Sequence, residues 1–194
     1  LNHIYGAFNA IDYMITCGLV ELSRHPEWAV RIRNELKQIL GDRLYPTHAD
    51  LTHLPDTTNF MKEVFRYYPV AAAVLRRTGD KLNVGEGYLP TNQEVMIMIQ
   101  ALHLHPEFWD SPTVFDPDRW NRPLRDPRAY IPFLIGPRQC IGRHLAELHF
   151  VMTLNALLQR FDIQVLSDNL SILPYLIPRF AGPVPAQVTV YNQP

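Results

Sequence analysis

The chain has 194 residues, is 47% hydrophobic, and sets 18 Lys and Arg against 19 Asp and Glu for a formal net charge of -1. That length and apolar content suit one globular domain or part of a larger one. The near-neutral, mixed charge excludes a phosphate-binding surface built on a basic excess, so nucleic acid is not an expected partner.

The chain opens with LNHIYGAFNAIDYMITCGLVELSRHPEW, which has no initiator Met, no basic flank and no small-residue cleavage site. Asp12 interrupts the segment, and the uncharged stretch 13–20 is far shorter than the roughly 20 residues needed to span a bilayer. A buried helix over residues 1–24 is expected. Its uncapped start reads as a sequence that begins partway through a protein. The HP pair at 25–26 breaks this helix, and a charged amphipathic helix over 27–40 follows, ended by Gly41. The charges of EWAVRIRNELK read as its solvated face.

In THADLTHLPD the pattern predicts a short helix opened by Thr47, with Asp50 at the reciprocal capping position. Asp56 is then the expected cap of a helix through TTNFMKEVFRYY, which Pro69 stops. The period now changes: AAVLRRT, KLNV and EVMIMIQ are short β-favouring runs separated by GEG and PTNQ turn chemistry, which predicts strands. Residues 106–137 are proline-dense and aperiodic, the pattern of an ordered coil. A helix is expected from Cys140 to about residue 161, then late strands at DIQVL and AQVTVY, with no repeats or low-complexity tail. The fold class is therefore mainly α with a small β-sheet.

Two cysteines, Cys17 and Cys140, lie far apart, so a disulfide framework is not expected and a reducing compartment is. Cys17, in an apolar helix, reads as an inert buried thiol. Cys140 differs: it sits in FLIGPRQCIG, residues 133–142, immediately before a helix whose N–H groups and dipole favour a thiolate. Gly136 and Gly142 allow close approach of a flat cofactor and of backbone conformations that a β-carbon forbids. Arg138, two residues before the sulfur, can pair with a carboxylate of that cofactor. No second cysteine or tight His cluster completes a tetrahedral zinc site. His103 and His105 in LHLHPEFW, at i and i+2 on one face of an expected strand, lack a third ligand and read as structural. A single axial thiolate remains, which among common cofactors points to haem.

FLIGPRQCIG resembles the haem-binding signature of the cytochrome P450 family, F-x-x-G-x-R-x-C-x-G, with Phe133, Gly136, Arg138, Cys140 and Gly142 at the defining positions. Two further landmarks follow the family's order: EVFR supplies E-x-x-R as Glu63 and Arg66, and FDPDRW supplies Arg119. The resemblance implies the C-terminal portion of the cytochrome P450 fold from the long distal helix onward, with residues 1–194 a partial haem domain lacking its N-terminal half. It implies haem b held by the Cys140 thiolate, Phe133 packed near that ligand, and the haem carboxylates held by Arg138 and one of Arg76 or Arg77, with Arg76 preferred. It further implies that Glu63, Arg66 and Arg119 form a buried charge network locking the coil beneath the haem.

The activity so implied is monooxygenation, in which one oxygen atom of dioxygen enters a small apolar organic substrate. Electrons would come from a separate ferredoxin or flavin reductase, since no flavin or nicotinamide module is visible. The alanines at 71–73 in YYPVAAAVL would leave room for such a substrate. One departure stands out. GAFNAI, residues 6–11, falls where the family usually carries A-G-x-[DE]-T-T, so Asn9 replaces the acid and Ala10 the alcohol of the pair that relays protons for O–O cleavage. Asn9 does not titrate near neutral pH and Ala10 has no hydroxyl. Asp12, displaced along the helix, is expected to point in another direction. Peroxide-driven oxygenation and haem-thiolate isomerisation are the alternatives this opens. A truncated, inactive haem-binding remnant is the alternative from another class. The expected location is cytoplasmic, or membrane-associated if an anchor lies upstream.

Overall fold

A computed structural model describes residues 2–41, 43, 45–47, 49–175 and 177–191. Helix α1, Asn2–Arg24, buries Tyr13, Met14, Cys17, Val20 and Glu21, a spacing that keeps one face against its neighbours. Helix α2, Pro26–Leu40, starts on a proline, whose missing N–H costs nothing in a first turn. It buries Trp28, Ile32, Glu35, Leu36 and Leu40. Gly41 closes it at φ 57°, donating its N–H to the Lys37 carbonyl.

A 3-10 turn, Asp50–His53, follows, and the Asp50 carboxylate accepts both the N–H and the hydroxyl of Thr47 at 2.7 Å. Helix α3, Pro55–Tyr67, does not use the expected cap. Asp56 lies inside its first turn and pairs with Arg31, while the buried Glu35 of α2 accepts the N–H of Asp56 at 2.6 Å and the N–H and hydroxyl of Thr57 at 3.0 and 2.6 Å. A cap delivered by another helix leaves no local sequence pattern, which is why the capping role fell to Asp56 in the sequence.

The predicted strands resolve into antiparallel pairs rather than one sheet. Strand β1, Val74–Arg77, pairs with β4, Glu94–Ile97, and β2, Leu82–Val84, pairs with β3, Gly87–Leu89. The GEG segment is thus only partly turn: Gly87 already belongs to β3. The EVMIMIQ run is strand only to Ile97. Its end enters helix α4, Ile99–His103, so His103 is helical and not on the strand face that an i, i+2 spacing would require. Residues 106–137 form the expected ordered coil, braced by 3-10 turns at Pro117–Asn121, Pro127–Ala129 and Gly136–Arg138, the first two capped by the side chains of Asp116 and Asp126.

Helix α5, Arg143–Leu158, begins three residues after Cys140 and stops where Phe161 starts strand β5, Phe161–Val165. Arg33 of α2 secures that junction, donating to the carbonyls of Leu158 and Phe161 at 2.9 and 2.8 Å. Strand β5 pairs with β8, Ala186–Val190, and the two-residue strands β6, Ile172–Leu173, and β7, Arg179–Phe180, pair with each other. The core lies between α1, α2, α3 and α5, with Cys17, Ile32, Phe60, Val64 and Leu154 fully buried. Gly18 sets the α1–α5 distance. A β-carbon there would stand 2.9 Å from the Phe150 ring, closer than a side chain allows. The chain is mainly helical with small antiparallel sheets.

Candidate functional site

Cys140 is exposed, whereas Cys17 is fully buried and burial pushes its thiol pKa up. The loop that presents Cys140 is closed by its own backbone, the Cys140 N–H donating to the Phe133 carbonyl at 2.8 Å. Between these two residues the chain turns twice through left-handed backbone, at Leu134 with φ 62° and at Gly136 with φ 78°. Gly136 is suited to that conformation and leucine is not. Gly142, the residue before α5, has an ordinary φ of -86°, so its conformation makes no demand for glycine. A β-carbon there would stand 3.8 Å from the Cys140 sulfur, an ordinary contact, so space within this chain makes no demand for glycine either.

Phe133 is half-buried and sets its ring edge-on to Phe65 at 5.4 Å, tying the loop to α3. Ile135, Ile141 and Leu145 around the cysteine are largely exposed, Ile141 at 95%. Arg138 and Arg76 carry no carboxylate partner among the described residues, whereas Arg77 pairs with Glu94 at 2.6 Å on the exposed side of its strand. An accessible thiol at a helix start, apolar residues beside it and arginines without counter-charges fit an apolar, carboxylate-bearing group whose metal takes one sulfur ligand.

Glu63 and Arg66 are fully buried and Arg119 nearly so. Arg66 grips Glu63 through two bonds of 2.8 and 2.9 Å, and Arg119 adds a third at 3.0 Å. Glu63 also accepts the Asp116 N–H at 2.9 Å and the Trp120 indole N–H at 3.1 Å. Two cations face one anion, and backbone oxygens take the surplus donors. Arg66 reaches the carbonyls of His103, Pro112 and Val114, and Arg119 those of Asp110, Ser111 and Val114. A buried charge needs such full satisfaction, and here it fastens the coil to α3.

His103 was legible only as a residue of structural type. It is fully buried, with Nδ1 3.1 Å from the Arg66 carbonyl and Nε2 accepting the Ile131 N–H at 3.0 Å. Those partners fix the neutral tautomer with the proton on Nδ1. Burial, reinforced by the nearby Arg66 charge, lowers its pKa to about 4 against the pull of the Arg66 carbonyl. His105 is half-exposed and stands near Glu107.

Asn9 and Ala10 are half-buried on α1. Asn9 lines a groove of about 760 Å³ between α1 and the late strands, together with Asp12, Tyr13 and Thr16. Asp12 therefore shares the face of Asn9, three residues on, contrary to the divergence expected of it. Ala10 is not among the groove's lining residues.

The cytochrome P450 family profile matches residues 9–178. The chain belongs to the cytochrome P450 family. It is 31% identical over 180 residues to cytochrome P450 734A2 of Oryza sativa subsp. japonica, covering 88% of this chain and 32% of that protein. It is 35% identical over 158 residues to cytochrome P450 4X1 of Rattus norvegicus, covering 79% of this chain and 30% of that protein. A similar match, 33% over 152 residues, is to Protein LUTEIN DEFICIENT 5, chloroplastic, of Arabidopsis thaliana, covering 74% of this chain and 25% of that protein. The chain thus spans about a third of the length of the cytochrome P450 relatives it matches. Among the described residues no helix is long and apolar enough to cross a membrane.

Proposed function

We propose that this chain carries the cysteine-ligand portion of a haem-thiolate monooxygenase that inserts one oxygen atom into an apolar organic molecule. The observation that carries the reading is the exposed Cys140 thiol, held in a backbone-closed loop at the start of α5 within the full family signature. Haem bound through a cysteine thiolate supplies oxygen activation with strong electron donation from sulfur. The other roles belong to side chains of this chain. Arg138 and Arg76, free of counter-charges among the described residues, would bind the haem carboxylates. Phe133 would keep water from one side of the sulfur. A separate ferredoxin or flavin reductase would supply electrons.

Asn9 and Ala10 favour a second reading, peroxide-driven oxygenation or isomerisation. An amide holds a hydrogen bond but does not surrender a proton near neutral pH, and a methyl group does neither. The readings separate by isotope. Native-length holoprotein is incubated with alkylbenzene and steroid probes, under labelled dioxygen with NADPH and a reductase, and separately with labelled hydrogen peroxide. One labelled atom per product from dioxygen is the expected result, with coupling of NADPH to product improved in Ala10→Thr. Product that forms only with peroxide, with Ala10→Thr unchanged, would overturn the monooxygenase reading in favour of the second.

A further inference from the structure

The family motifs do not assign a fully buried titratable group at the end of α4, His103. Its two ring nitrogens bridge segments far apart in sequence: Nδ1–H donates to the Arg66 carbonyl at the end of α3, and Nε2 accepts the N–H of Ile131. The ring is further fixed by stacking on Tyr130, with centroids 5.7 Å apart, and by the edge of Trp109. The charged groups nearest to it belong to the Arg66–Glu63 pair, and Arg66 also donates to the His103 carbonyl. His103 therefore receives its position from the buried charge network on one side and passes it to Ile131 on the other.

Ile131 is where the cysteine loop begins. Its carbonyl accepts the Leu134 N–H at 3.0 Å, and Leu134 occupies left-handed backbone that is strained for a leucine. Such strain persists only where the surroundings over-determine it. The next residue back, Phe133, supplies the carbonyl that holds the Cys140 N–H.

We propose that His103 is a positioning residue for Cys140, anchoring Ile131 so that the strained turn at Leu134 holds the cysteine loop in place. The assignment of Cys140 as the functional thiol is the reading given above, but the loop's anchorage is a property of the backbone and is tested independently of any ligand. Two variants divide the histidine's bonds. In His103→Gln the side-chain oxygen reaches the Nε2 position and keeps an acceptor for Ile131. In His103→Asn the shorter amide keeps a donor for the Arg66 carbonyl and leaves Ile131 without its acceptor.

Amide hydrogen exchange of the native-length protein, read by mass spectrometry on peptides spanning residues 131–140, reports the anchorage directly. Loss of one buried hydrogen bond should speed exchange at Leu134 and Cys140 about tenfold in His103→Asn and leave His103→Gln close to wild type, with α3 unchanged in both. Equal protection in the Asn variant would overturn the proposal, as would a uniform rise that includes α3. A Gln variant that fails to fold would overturn it too, because the Ile131 acceptor alone should suffice. If the thiolate reading fails while this exchange pattern holds, the anchorage stands and only the role of the thiol is lost.

Discussion

A single carboxylate carries more of this site than any other side chain away from the cysteine. Glu63 gathers two guanidiniums, one indole and one backbone N–H in a space closed to solvent. Glu63→Gln removes the only negative charge among the described residues that balances Arg66 and Arg119 within hydrogen-bond reach, and it turns an amide donor toward other donors. Breaking a buried pair in this way should cost about 3–5 kcal/mol. Urea unfolding of the native-length protein, with the haem-to-protein ratio measured alongside, checks it. A midpoint and a haem content equal to wild type would show that the network is not what fastens the coil. At this scale the sequence was informative where spacing is short. Glu63 and Arg66 lie three apart on one helix, so their contact follows from helical geometry. The partners of His103 lie 37 and 28 residues away, and no local pattern connects them.

Elements were legible where one period ran unbroken and illegible where a neighbour supplied what the segment lacked. The hydrophobic spacing of α1, α2 and α3 marked all three helices to within about a residue or two at each end. The start of α3 did not show its cap, because Glu35 arrives from α2. Glu35→Ala should uncap Asp56 and Thr57 together and destabilise the protein by roughly 1–2 kcal/mol, read as a lower urea midpoint with unchanged slope. Asp56→Ala should not uncap α3, so equal losses in α3 protection on hydrogen exchange would contradict the tertiary cap. Strands β6 and β7 escaped notice because two residues are too few to display alternation. The EVMIMIQ run misled for the opposite reason. Its alternation continues into α4, where the Gln100 N–H is taken by Ala72 and the Leu102 N–H by Met98.

Across the molecule, a packed helical interior contrasts with an exposed cysteine-bearing surface. Helices α1, α2, α3 and α5 close a packed core through contacts such as Gly18 on Phe150, while Ile135, Ile141 and Leu145 remain open beside Cys140. The motif around the cysteine marked that loop in the sequence, because its glycines and arginine are local to it. The extent of the surroundings was less legible, since the chain spans only about a third of its cytochrome P450 relatives. The closed loop and the anchor proposed at His103 both bear on one sulfur, so the account stands or falls on what that sulfur does.

The most direct measurement is the ferrous carbon monoxide difference spectrum of the native-length protein prepared with haem. The account predicts the strongly red-shifted Soret band that marks thiolate ligation, and its loss in Cys140→Ser. Haem bound with a band at the position of nitrogen or neutral-thiol ligation, or a thiolate band that survives Cys140→Ser, would contradict it.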